Sequence, residues 1–308
     1  MSILRRFTDF ILRSRSQAMG VAFVCAYIPL LGSISILIAG LVTLRKSILD
    51  GALVLCAATA PFLLNYYVAS PPADQAGMAL ITIATIVVSN ILVWLYAILL
   101  RQYNNWSLIL ELSILLGVVV VGAVHFFNPA IQNWWGTQLT AYFTKATAMM
   151  NGMNGLPSAD IKIQLQAVDV LKPYATGLVI TSLLWNGLLQ LALARWWQAT
   201  LFAPGTLRQE LYHIRFGYVV GVLFVAVLLF SLWNNATVLD MRPIFYGLFF
   251  IAGLSLVHCL LAPAKYSWFW LVLVYIALIV LFPKSAMALA IVALLDVLLD
   301  LRRRLTRV

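Results

Sequence analysis

The chain has 308 residues, of which 63% are hydrophobic and only 10% are charged, and its formal net charge is +10. A soluble domain carries about 25% charged residues, so this composition excludes a soluble globular fold. Several apolar runs are long enough to cross a bilayer, and in such a chain basic residues mark the cytoplasmic side of the membrane. We therefore predict an all-α polytopic transmembrane helix bundle. Its expected partner is the lipid bilayer, and we do not expect it to bind nucleic acid.

Residues 1–16 predict a helix that lies on the membrane surface. Four arginines alternate there with apolar residues, and Phe7, Phe10 and Ile11 share one helical face. A basic helix with one apolar face is typical of segments that lie in the interface of an anionic leaflet. We therefore expect an amphipathic helix on the inner face of the membrane.

The next apolar run, 18–44, is too long for one upright span. As a single helix it would measure about 40 Å, against about 30 Å for the hydrocarbon core. Pro29 and Gly32 interrupt the run near its middle. A re-entrant or short helical hairpin keeps the arginines before and after the run on the same side, whereas one long span, the alternative, places the N-terminal arginines outside.

About eight full spans follow the hairpin. They are predicted at 47–68, 76–100, 107–127, 173–195, 217–234, 242–262, 266–283 and 285–301. This topology puts both termini in the cytoplasm and leaves few basic residues outside, namely Lys145, Lys162, Lys172, Arg242 and Lys284. The positive-inside rule thus favours this topology, and we predict a single integral membrane domain, 1–308.

The longest connection, 128–172, is predicted on the outer face. Apolar residues recur there at helical spacing from Pro129 onwards and again after Ser158, which predicts two amphipathic helices. The thioether sulfur of methionine is a soft metal ligand, which makes Met149, Met150 and Met153 candidate ligands. Methionines on an apolar helical face, however, are usually buried side chains. We predict no metal site and no cofactor.

Polar residues inside the predicted spans mark candidate functional positions, because ionisable groups in a bilayer are costly. Glu111, His258 and Asp296 fall within about two turns of the inner face, and Asn186 and Gln190 lie one turn apart in mid-span. One interpretation is an inner-side polar cavity that binds a small solute. The other is a set of interfacial salt bridges and interhelical hydrogen bonds that close the bundle.

The polar stretch 196–215 is predicted as a cytoplasmic loop-helix. Arg208, Glu210, His213 and Arg215 alternate in charge along it, which suits a lid or a docking helix. Its single E-x-x-H spacing lacks the further carboxylates that a dimetal site needs. The segment therefore predicts a surface for a cytoplasmic or membrane protein partner, without metal.

Four short stretches form recognisable motifs, namely RSRSQA at 13–18, LVTLRK at 41–46, ARWWQA at 194–199 and PGTLRQELYHIR at 204–215. They are the basis of a resemblance to the YybS-like domain-of-unknown-function family of bacterial membrane proteins. It implies a bacterial inner-membrane protein with many helices, and it implies no catalytic residues.

Three functions are compatible with these patterns. The first is a small-solute transporter or the substrate-binding subunit of one. The second is a membrane scaffold that docks a cytoplasmic protein through 196–215. The third, an intramembrane enzyme that uses Glu111, His258 or Asp296 as acid or base, is the weakest, because P-loop, GxGxxG, GxSxG, HExxH and zinc-ligand spacings are all missing from the chain.

Overall fold

The computed structural model describes residues 3–28, 31–69, 73–154, 166–262 and 267–305. Within these ranges the chain is all-helical and forms no strand. The helices are α1 (Ile3–Arg13), α2 (Arg15–Tyr27), α3 (Gly32–Arg45), α4 (Ile48–Ala69), α5 (Ala73–Tyr103), α6 (Trp106–Phe127), α7 (Ile131–Asn154), α8 (Ala175–Phe202), α9 (Thr206–Tyr212), α10 (Tyr218–Phe230), α11 (Ala236–Leu261), α12 (Ser267–Val280), α13 (Lys284–Leu299) and α14 (Leu301–Leu305).

Among the described residues, five helical segments are long and apolar enough to cross a membrane. They are Ile48–Val68, Ala79–Tyr103, Trp106–Phe127, Gln166–Phe202 and Ala236–Leu261. The remaining predicted spans coincide with α10, α12 and α13, which have 13, 14 and 16 residues. At 1.5 Å per residue these helices are only about 20–24 Å long, less than the hydrocarbon core. The fold is thus that of a multi-pass helical membrane protein, while the expected eight spans are not confirmed.

The contacts divide the chain into two compact units. Unit 1 comprises Met1–Ile109 and Leu183–Ile214, and unit 2 comprises Leu110–Ser182 and Arg215–Val308. Each unit takes residues from both halves of the sequence, because the boundaries fall within α6 and α8. The single domain expected from the sequence stays a prediction.

In unit 1, α2, α3 and α4 pack pairwise against one another, and α5 packs on α3 and α4. The segment 18–44 is accordingly divided between α2, which ends at Tyr27, and α3, which begins at Gly32. Ser14 caps α2 by accepting a hydrogen bond from the backbone nitrogen of Gln17 at 3.2 Å, which satisfies one free donor of the first turn. How this hairpin lies in a membrane stays a prediction.

Helix α1 packs against the rest of unit 1 through part of the face that was predicted to contact lipid. Ile11 and Thr8 are fully buried. The Thr8 hydroxyl accepts a hydrogen bond from Nε1 of Trp197 at 2.8 Å, and the Phe7 ring stacks on Trp197. Phe10 stays exposed, so only part of this face is left for lipid contact.

In unit 2 the most extensive packing joins α11 to α13. Gly253 permits it, since a Cβ at this position would lie 2.5 Å from the backbone oxygen of Leu289. Small residues at such crossings let helix backbones approach closely. Phe224, Phe245 and Phe249 fill the space between α10 and α11.

The predicted outer-face segment 128–172 begins with α7, and a 3-10 turn at Lys172–Tyr174 packs on α7 and α11. The expected helix start at Ser158 falls outside the described residues. The side chains of Met149, Met150 and Met153 also lie outside the described part of the chain.

Candidate functional site

A cavity of about 240 Å³ lies among the helices of unit 1. It is bordered by the start of α3, by α4, by the middle of α5 and by the middle of α8. Its lining residues are Gly32, Ser33, Ile36, Phe62, Ile86, Ser89, Asn90, Val93, Asn186 and Gln190. Since the share of one water in the liquid is about 30 Å³, the space suits a small organic molecule.

The polar wall of the cavity comes from two facing helices. Asn186 on α8 donates a hydrogen bond from Nδ2 to the hydroxyl oxygen of Ser89 on α5, at 2.9 Å. This contact orients both side chains. One turn further along α8, Gln190 is only 8% exposed, and its Oε1 has no hydrogen-bond partner among the residues that the structure describes. A buried acceptor without a donor costs about 1–3 kcal/mol.

Helix α8 packs closely on its neighbours next to this wall. A Cβ at Gly187 would lie 3.0 Å from Cε2 of Tyr96 on α5. A Cβ at Gly40 on α3 would lie 3.1 Å from the Cβ of Ala194 on α8. The cavity is therefore a local space between tightly packed helices and does not reflect loose packing of unit 1.

The cavity also meets the beginning of α3. Gly32 and Ser33 line it, and the residue before them, Leu31, makes no side-chain cap to the helix. The first backbone N–H groups of a helix have no partner within the helix and carry a partial positive charge. The side chains that line the cavity are all uncharged.

The sequence-predicted cavity residues divide between the two units. Asn186 and Gln190 line the cavity of unit 1, whereas Glu111, His258 and Asp296 belong to unit 2. There, Glu111 accepts a hydrogen bond from the backbone nitrogen of Gly217 at 2.5 Å. The Nε2 of His258 lies 3.0 Å from the hydroxyl oxygen of Tyr275. Glu111 and His258 thus each have a hydrogen-bond partner within unit 2.

Asp296 is held in an ion-pair network of unit 2. Its carboxylate accepts hydrogen bonds from the backbone nitrogen and from Nε of Arg302, both at 3.0 Å, and it is 2% exposed. Nε of Arg215 lies 3.9 Å from Oδ2 of Asp296, and Nη1 of the same arginine lies 2.8 Å from Oδ1 of Asp300. A buried carboxylate neutralised by arginines serves structure well and is poorly placed to act as a free base.

The predicted docking helix is α9, and Glu210 anchors it within unit 1. Both carboxylate oxygens of Glu210 pair with the guanidinium of Arg195, and Oε2 also accepts a hydrogen bond from Nε1 of Trp106 at 3.0 Å. Arg208 and His213 remain exposed, each bonded within α9 or its end, to Tyr212 and to the backbone oxygen of Gln209. Arg215 belongs instead to the network around Asp296.

Sequence reasoning missed a buried pair in unit 2. Nε2 of His125 lies 2.9 Å from Oδ2 of Asp240, and Oδ1 of Asp240 accepts a hydrogen bond from the backbone nitrogen of Gly177 at 2.7 Å. Asp240 is 1% exposed. The sequence does contain a feature that points to Asp240, namely an ionisable residue inside the apolar segment Ala236–Leu261. It was missed because the predicted span, 242–262, begins after this residue.

Ser89 was missed as well, because a serine in an apolar helix has no distinctive pattern. Across the described ranges no group of three or more His, Cys, Asp or Glu side chains is arranged to hold a metal ion.

Comparison with known proteins adds no relative. No protein-family model matches the chain, and no curated protein or solved structure matches it. The resemblance to the YybS-like family therefore stays a prediction from the quoted residues.

Proposed function

We propose that the protein carries a small solute across the membrane, alone or as the substrate-binding subunit of a transporter, and that the cavity of unit 1 is its binding site. One observation carries the proposal: Ser89, Asn90, Asn186 and Gln190 line one side of a cavity of about 240 Å³ that lies among apolar helices. A ligand site is commonly a concave, mostly apolar space with a few placed polar groups.

The position of the cavity supports transport. Asn90 and Gln190 lie near the middle of α5 and α8, two of the segments long enough to span a bilayer. Helix α3 begins beside the cavity at Gly32, after the interruption that separates it from α2. Secondary transporters often bind substrates near the midplane, next to discontinuous helices. We further propose a bacterial inner membrane as its location, with both termini in the cytoplasm.

Access to the cavity tests this function. Asn90→Cys is introduced after Cys25, Cys56 and Cys259 are replaced by alanine, and vesicles of both orientations are treated with a membrane-impermeant thiol reagent. A transport site is reached from both sides as the protein changes state, so we expect labelling in both preparations. Val88→Cys, on the exposed side of the same helix, is the control and should stay unlabelled. A cysteine at 90 that reacts from neither side would contradict transport.

The alternative function is a scaffold that docks a partner protein through α9. It is favoured by the rigid anchoring of Glu210, which leaves Arg208 and His213 on the exposed surface. The test is Arg208→Ala with His213→Ala, because this pair leaves the Glu210 contacts intact. Loss of a co-purifying protein without loss of folding supports docking, and unchanged co-purification contradicts it.

A further inference from the structure

The basic residues of unit 1 lie at one end of its helices. Contacts join the segments that carry them, since Arg15 pairs with Asp50 and Arg195 pairs with Glu210. These pairs use two of the few carboxylates of unit 1, so this end keeps an excess of positive charge. The basic residues are Arg5, Arg6, Arg13, Arg15, Arg45, Lys46, Arg101, Arg195 and Arg208.

Three of these cations, Arg45, Lys46 and Arg101, form a cluster where α3 ends. Nη1 of Arg101 donates a hydrogen bond to the backbone oxygen of Thr43 at 2.6 Å, and Nη2 donates to that of Lys46 at 2.8 Å. The guanidinium carbon of Arg45 lies 3.8 Å from the centroid of the Phe202 ring. Both guanidinium groups are thus held in place by partners that carry no full negative charge.

No carboxylate neutralises this cation cluster within the described part of the chain. The ion pairs of unit 1 there are those of Arg15 and Arg195. Arg45 and Arg101 are exposed, and Lys46 is half-buried. A guanidinium has five N–H donors, so the two bonds of Arg101 leave others unused. The cluster is therefore suited to an anion that approaches from outside the protein.

The cation cluster lies at the level of lipid headgroups. Segment Ile48–Val68 begins two residues after Lys46, and segment Ala79–Tyr103 ends two residues after Arg101. Both segments are long enough to cross a bilayer, and the contact of Arg101 with Lys46 brings their ends to one level. Cations at the ends of spans lie beside the phosphate groups of a leaflet. This position favours a lipid over a soluble partner.

Apolar side chains beside the cluster suit acyl chains. Leu49 and Leu53 follow Lys46 in the chain, lie four residues apart on one face of α4, and are exposed. Phe202, which contacts Arg45, is exposed as well. A free phosphate ion would leave this apolar surface unused, whereas a phospholipid covers it.

We propose that the cation cluster binds the phosphate of an anionic phospholipid whose acyl chains pack on Leu49, Leu53 and Phe202. Each cation near the membrane surface should favour an anionic headgroup by about fivefold in affinity over a zwitterionic one, whose own ammonium group cancels the attraction. The site is distinct from the cavity of unit 1, because Gly32 and Arg45 are opposite ends of α3. It therefore does not depend on transport.

Native mass spectrometry of the full chain in detergent micelles tests this site. The protein is titrated with phosphatidylglycerol and, separately, with phosphatidylcholine of the same acyl chains. We expect the tightest binding step to favour phosphatidylglycerol by about tenfold or more. The preference should shrink as the ionic strength rises, because salt screens exposed charges.

Variants assign the lipid to the cation cluster. Arg45→Gln with Lys46→Gln removes two charges and keeps the contacts of Arg101, so the affinity for phosphatidylglycerol should fall about tenfold or more while that for phosphatidylcholine stays the same. Lys145→Gln with Lys284→Gln removes two exposed charges of unit 2. This matched control should keep the preference of the wild type. Far-UV circular dichroism checks that both variants retain their helices.

Four results would overturn the proposal. The first is equal affinity of the wild type for the two lipids. The second is a preference that survives Arg45→Gln with Lys46→Gln, because the anionic lipid then binds elsewhere, and the third is equal loss in the control variant, because net charge alone then decides binding. The fourth is displacement of phosphatidylglycerol by an equal concentration of inorganic phosphate or of a co-purifying acidic protein, which would identify a soluble partner.

Discussion

Nδ2 of Asn186 donates a hydrogen bond to Oγ of Ser89 across 2.9 Å, and this contact joins α8 to α5 at the polar wall of the cavity. It links residues that are 97 positions apart in the chain. It satisfies one donor of Asn186 and the hydroxyl oxygen of Ser89 on the wall that Gln190 also lines.

A double-mutant cycle should measure this contact. Ser89→Ala and Asn186→Ala are made singly and together, and the free energy of unfolding is determined in mixed micelles titrated with a denaturing detergent. We expect a coupling of about 0.6–1.7 kcal/mol, the range for hydrogen bonds between membrane helices. Thr85→Ala with Asn186→Ala is the control cycle, because the Thr85 hydroxyl bonds to Ile81 of its own helix. Additive effects in the first cycle would contradict the contact.

Substitution of Gly177 should be among the most damaging small changes in the chain. A Cβ there would lie 1.7 Å from the backbone oxygen of Asp240, so Gly177→Ala must displace a helix backbone. We expect a loss of about 3 kcal/mol or more in the free energy of unfolding, beyond the usual range for overpacking.

The matched control is Gly20→Ala in α2. Nothing lies within 4 Å of a Cβ at Gly20, and alanine favours a helix interior by up to about 1 kcal/mol over glycine. This variant should be as stable as the wild type or slightly more stable. Similar losses in both variants would mean that the close approach at Gly177 is not the cause.

Truncation of Asp240 should destabilise unit 2. Asp240→Ala removes the partner of His125 and the acceptor of the Gly177 nitrogen at once, and breaking a buried pair costs about 3–5 kcal/mol. Asp240→Asn should cost less, because its side-chain oxygen still accepts from Gly177. Asp169→Ala, which breaks the exposed pair with Lys172, should cost less than about 1 kcal/mol. Thermal unfolding of the three variants in one lipid mixture checks this order.

Loss of the Glu210 anchor should loosen α9. Glu210→Gln gives up the charge that pairs with Arg195 and weakens the contact to Trp106. Hydrogen bonds to charged groups contribute about 1.5–3 kcal/mol, so amide exchange in Thr206–Tyr212 should accelerate about tenfold or more where it follows local opening. Arg208→Ala touches only the exposed face and should leave exchange nearly unchanged. Equal exchange in Glu210→Gln and wild type would show that the pair does not hold α9.

Sequence reasoning reached the helical membrane class because apolar runs in a bilayer must satisfy their own backbone groups. It also located the helix interruption, since α2 ends at Tyr27 and α3 begins at Gly32. The count of eight full spans is not confirmed, because hydropathy counts apolar residues and does not show where a helix ends. α10 and α12, for instance, stop after 13 and 14 residues.

For the candidate site, too, the sequence predicts one part of the arrangement and only the structure shows the other. That Asn186 and Gln190 share a helix face follows from their spacing alone. Their partners do not, since a hydrogen bond between helices depends on which helices meet and at what height. Only the tertiary structure pairs Ser89 with Asn186 and leaves Oε1 of Gln190 unpaired. It likewise joins His125 to Asp240, 115 residues away.

The amino-acid sequence by itself determined that this protein is helical and membrane-embedded, and that its apolar helices carry polar side chains, such as Gln190, that lose hydration when they are buried. Tertiary packing decided which of those groups satisfy one another. The physical reason is that burial cost belongs to each side chain alone, whereas relief of that cost requires a second group brought within about 3 Å by the packing of helices.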